Sequence, residues 1–117
     1  MTTLAEKRQH HTETLAHDLD ELVAQLSRMP AVEQVILFGS YAAGRADLFT
    51  DLDLLVVMPS ALDFVSRSAE LARQLEVGAP LDLLVYTPEE MALMRHRPFF
   101  KHLLKTSKVL YEKKSLG

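Results

Sequence analysis

Asp51 and Asp53 stand two apart at the head of an apolar run, DLDLLVVM. Side chains on a strand repeat with period two, so these carboxylates point to one face, about 6.5–7 Å apart at their Cα atoms. Adjacent anions there repel and raise one another's pKa unless a cation sits between them. Two hard oxygen ligands are also what Mg2+ asks of a protein, because the ion keeps waters and phosphate oxygens for its other positions. A lone D-x-D equally marks a solvated strand end. The pair by itself decides nothing.

Asp82 shifts the balance. It is the second residue of LDLLVY, an apolar setting that gives a carboxylate no local reason to be there. If the two strands pair with their acidic ends together, three carboxylates converge. That arrangement suits two metal ions clamping the attacking and leaving oxygens of an in-line phosphoryl displacement. Gly39-Ser40 follow a third apolar run and precede a short helical turn. Glycine lets backbone approach a ligand closely, and the amides of a helix start, with the Ser40 hydroxyl, form a phosphate cradle.

The run GSYAAGRADLFTDLD places ten residues between Ser40 and Asp51, then the D-x-D pair. Here the sequence resembles the DNA polymerase β-like nucleotidyltransferase superfamily, whose signature is Gly-Ser, ten residues, then Asp-x-Asp. It is most similar to the minimal nucleotidyltransferase branch, small proteins often paired with a HEPN-domain toxin. The resemblance runs from Val32 to about Glu112 and includes the ending LLKTSKVLYE. It implies that Asp51 and Asp53 ligate Mg2+, that Asp82 completes a two-ion site and helps deprotonate the acceptor, and that Gly39 and Ser40 hold the triphosphate of ATP. Two positions depart from the family pattern. Many members carry arginine just before the second loop glycine, where this chain has Ala43-Gly44, and Arg45 is the candidate substitute. Thr50 replaces the commoner serine and keeps a hydroxyl.

These residues need a scaffold. Leu15, Leu19, Leu22, Leu26 and Met29 recur at spacings of four and three, one buried stripe of a helix that Pro30 stops. Val32 to Phe38 reads as a first strand and residues 40–50 as a short helical turn and loop. Asp51 to Met58 reads as an interior strand, apolar on both faces. Ser60 is the expected N-cap of the next helix, with Leu62, Val65, Ala69, Ala72 and Leu75 as its inward line. Leu81 to Tyr86 is a third strand. Thr87-Pro88-Glu89-Glu90 spells a capping box. A last helix follows Pro98, and Val109-Leu110-Tyr111 ends the fold as a short strand. This order predicts an α/β (α+β) fold, one small mixed β-sheet covered by helices, the polymerase β-like palm. The expected organisation is one domain over 1–117, with an N-terminal helix in 1–30, a catalytic core in 31–112 and a frayed tail in 113–117.

Composition narrows the function classes. The 117 residues contain no cysteine, which removes disulfides, thiolate metal sites and thiol nucleophiles. No apolar run approaches the roughly 20 residues of a membrane helix, so a soluble, cytoplasmic protein is expected. A formal net charge of −3 disfavours sequence-independent nucleic-acid binding, although Arg95, Arg97, Lys101, Lys105 and Lys108 crowd the C-terminal third. His10, His11, His17, His96 and His102 make no zinc spacing and read as solvated or partly packed. Tyr41, Phe49, Phe99 and Phe100 read as core or interface residues.

The expected activity is metal-dependent transfer of AMP from ATP to a hydroxyl on a partner protein such as a HEPN toxin, with this chain as antitoxin. Larger relatives use extra domains to hold their acceptors, and 117 residues leave no room for one. Two alternatives remain: a partner-binding antitoxin without catalysis, and a small-molecule nucleotidyltransferase that completes its cleft as a homodimer.

Overall fold

Alternation along four short strands builds the sheet that carries the acids. A computed structural model describes residues 2–45 and 50–114. In chain order these are α1 (Leu4–Ser27), β1 (Gln34–Phe38), α2 (Gly39–Ala42), β2 (Leu52–Val57), α3 (Phe64–Gln74), β3 (Leu81–Tyr86), α4 (Pro88–Met94), α5 (Pro98–Lys105) and β4 (Lys108–Glu112). The sheet order is β3-β2-β1-β4. β1 runs antiparallel to β2 and β4, whereas β2 and β3 are parallel. The mixed sheet with helical cover is the fold expected from the sequence. Phe49 lies outside the described residues, as do part of the loop after α2 and the end of the tail.

Period two sorts the strand residues onto two faces. On one face Val35, Leu37, Leu52, Leu54, Val56 and Val85 meet Leu15, Leu22 and Leu26 of α1 and Leu71 of α3. On the other, Ile36, Leu55 and Val57 meet Met91 of α4 and Phe100 of α5. Burying each such leucine or valine is worth about 1.5–3 kcal/mol. β2 is interior and buried on both faces, as its unbroken apolar run implies. Among the described residues no helix is long and apolar enough to cross a membrane.

α3 departs from expectation. Asp63, not Ser60, is its N-cap, with Asp63 Oδ1 accepting from Ser66 N at 2.8 Å. The Ser60 hydroxyl instead closes a turn by accepting from Leu62 N at 3.1 Å. Of the expected inward line only Leu75 is buried; Ala69 and Ala72 are exposed, Leu62 is 49% exposed and Val65 75%. The line that turns inward holds Arg67, Leu71 and Leu75. An arginine among apolar residues signals the solvent side only if its charge goes unmatched. Arg67 Nε donates to Val85 O at 3.0 Å, and its Nη2 lies 2.7 Å from a Glu90 oxygen. With the guanidinium satisfied, its stem packs inward.

Glu90 serves two elements at once. Its carboxylate pairs with Arg67 and also accepts from Thr87 N at 2.8 Å, half of the capping box that starts α4. The Thr87 amide, opposed by burial and aided by Arg67, holds the Glu90 carboxyl below its usual range. Glu90→Ala is expected to cost about 2–3 kcal/mol, because it strips the cap and leaves a guanidinium that is 6% exposed short of its partner. Urea unfolding of wild type and Glu90→Ala measures the difference, and a loss under about 0.5 kcal/mol would contradict it.

Candidate active site

Strand register brings the acids together. β2 and β3 pair in parallel with Asp53 beside Asp82, and β1 pairs antiparallel with β2 so that Phe38 faces Asp53. By alternation both carboxylates lie on the face that α4 and α5 cover, since Leu55 and Leu84 belong to that side. They sit at the N-terminal ends of their strands. Asp53 and Asp51 are half-buried, and Asp82 is exposed on the edge strand.

In the strand register Asp82 stands beside Asp53, close enough for the two side chains to bond around a proton and to repel when both are charged. The Asp53 pKa is accordingly pushed up to about 6, first by burial, then by the hydrogen bond and charge of Asp82, then by the charge of Asp51. Asp51 acts at longer range than Asp82. Among the described residues no three histidine, cysteine or acidic side chains form a ready metal cage.

Gly39 packs closely against Asp53. Its φ is +78°, and a Cβ placed there would lie 2.0 Å from Asp53 Oδ2. Only glycine meets both demands. Ser40, the second residue of α2, is exposed, and the turn closes with Arg45 N donating to Ser40 O at 2.9 Å. Gly44, at φ +79°, has nothing within 4 Å of where a Cβ would stand, so its glycine answers to the backbone alone.

Sequence reasoning missed one contact. His11 Nε2 lies 3.1 Å from Thr50 O, tying α1 to the residue before Asp51. A carbonyl only accepts, so His11 Nε2 carries the proton there. No local signal could have found a partner 39 residues away. His10, His17, His96 and His102 are exposed, as are Arg95, Arg97, Lys101, Lys105 and Lys108.

A family model for the nucleotidyltransferase domain matches residues 19–116, and the chain belongs to that family. Among solved structures, a candidate nucleotidyltransferase from Sulfolobus solfataricus aligns with a TM-score of 0.57 and 19% identity, over 97% of this chain and 90% of that one. A chain from a toxin–antitoxin structure with AMP-PNP aligns with a TM-score of 0.52 and 23% identity, over 81% of this chain and 73% of that one. At these identities the likeness is one of fold. No curated protein sequence matches significantly.

Proposed function

We propose that this chain transfers AMP from ATP to a hydroxyl on a partner protein, a HEPN-type toxin, and thereby acts as its antitoxin. The observation that carries the reading is the crowding of Asp53 against Asp82 beside the Gly39 backbone. A desolvated carboxylate pair with a third acid nearby is a set of hard oxygen donors whose repulsion a divalent cation relieves. The residues fit Mg2+ on that ground. We assign Asp51, Asp53 and Asp82 as its ligands and expect two ions. When bound, such ions neutralise phosphate charge and polarise the attacking and leaving oxygens.

The chain's own groups do the rest. Gly39 and Ser40 hold the triphosphate, the glycine by admitting it close to the backbone. Asp82, on the open edge strand, takes the proton of the acceptor hydroxyl. The acceptor oxygen bonds to the α-phosphorus while the bond to the bridging oxygen breaks, and pyrophosphate leaves with that electron pair. Positioning and charge neutralisation supply most of the acceleration. The likeness of fold to a toxin–antitoxin structure with AMP-PNP supports an adenine nucleotide donor and a toxin as the partner. An ATP donor and an intracellular toxin put the reaction in the cytoplasm.

Calorimetric titration of ATP, with and without Mg2+, into wild type and Asp53→Asn tests the reading. Binding that needs Mg2+ and is lost in the variant is the expected result. Absence of binding both to the chain alone and to its complex with a HEPN-type partner would overturn it.

A further inference from the structure

α5 has three distinct sides. Phe100 and Leu104 pin it to the sheet, on the same face as Asp53 and Asp82. Lys101 and Lys105 face solvent. Phe99, His102, Leu103 and Thr106, spaced as one helical stripe, line a cleft of about 300 Å³ whose other wall is Phe38, Gly39, Ser40 and Arg45. The cleft therefore starts at the glycine that touches Asp53 and ends at a phenylalanine ring that is 76% exposed.

Its two ends differ in chemistry. Gly39, Ser40 and the Arg45 cation suit phosphate. The far wall is apolar, with a single imidazole and a hydroxyl, the mix that lines small-molecule pockets. We infer that the α5 wall seats the nucleoside of the donor, with its base stacked on Phe99 and its phosphates at the Gly39 end. This inference rests on the nucleotide-donor reading above and adds the residues that hold the base. An aromatic face stacks on any base. Phe99 thus supplies affinity without choosing adenine over guanine.

The full chain can be titrated with MgATP, MgGTP and magnesium tripolyphosphate as wild type, Phe99→Ala, Phe99→Trp and Asp53→Asn. Because Phe99 is exposed, truncating it leaves the core untouched. Phe99→Ala is expected to weaken both nucleotides about tenfold and leave tripolyphosphate binding unchanged. The sequence contains no tryptophan, so the indole introduced by Phe99→Trp is a sole reporter, expected to be quenched by MgATP and not by tripolyphosphate. Equal weakening of ATP and tripolyphosphate in Phe99→Ala would overturn the inference. So would unchanged ATP binding with a silent indole. In that second case, if Asp53→Asn still abolishes binding, the donor reading stands and only the base seat falls. If wild type binds no MgATP either alone or in complex with a HEPN-type partner, both fall.

Discussion

Asp53→Asn is expected to lower AMP transfer at least about a thousandfold while making the ligand-free chain more stable. The two effects have one cause. On the proposed assignment the variant removes a charge that would hold the cation, and a loss of about 4 kcal/mol of transition-state stabilisation is roughly a thousandfold in rate. In the free chain the same charge is a liability, because Asp53 sits half-buried against Asp82 with Asp51 nearby.

The pH dependence follows with a definite sign. The Asp53 pKa is raised from an ordinary 3.8 to about 6, so the folded state binds this proton more tightly than the unfolded state. Its stabilising contribution is full below about pH 3.8 and is lost as pH rises through about 6. Two units correspond to at most about 3 kcal/mol, and screening at a site this open to water reduces it to about 1 kcal/mol. Asp63 and Glu90 have the opposite sign, since their pKa values are lowered and acid removes their stabilisation. The readout is therefore the difference between wild type and Asp53→Asn, by urea unfolding from pH 4 to 8 without metal. The variant should gain on wild type as pH rises, and Mg2+ should restore wild type alone. A constant difference across that range would refute the account.

Gly39→Ala is expected to combine a loss of about 2–3 kcal/mol in stability with a roughly hundredfold loss of transfer. A positive φ costs an L-residue about 1–2 kcal/mol. The remainder comes from the methyl group, which would stand 2.0 Å from Asp53 Oδ2 and must drive that carboxylate off its position. A displacement near 1 Å is enough to cost about a hundredfold in a positioned reaction. Gly44→Ala is the matched control, with φ +79° and open space around its Cβ position. It should show the backbone penalty of about 1 kcal/mol and keep most of its stability otherwise. If Gly39→Ala unfolds no more easily than Gly44→Ala, the close approach of Asp53 carries no weight.

Much of this protein is written in interactions of short range. Asp51, read as the first residue of the strand, stands just before β2 begins at Leu52, but the unbroken apolar run after it marks β2 as interior, and Thr87 with Glu90 spells the start of α4. Each depends on residues within a few positions of one another, and each is legible in the chain. The stripe of α1 is equally local, with Leu15, Leu22 and Leu26 buried and Leu19 and Met29 packed beside them. The spacing from Gly39-Ser40 to the acids carried the family, which the match over residues 19–116 bears out.

Tertiary structure decided what depends on distant partners. The register of β2 on β3 puts Asp82 beside Asp53 rather than one residue off, where alternation would turn it to the opposite face. Arg67 turns inward because Val85 and Glu90 satisfy its charge, and that reverses the line expected for α3. His11 finds Thr50 across 39 residues. Phe99, which reads as core or interface in one dimension but is 76% exposed, and His102 become a wall facing Gly39 once Phe100 and Leu104 have anchored α5. A sequence states which groups are present and how neighbours along it align. Whether a charge is matched, or a face is covered, is settled only where chain segments far apart in sequence meet.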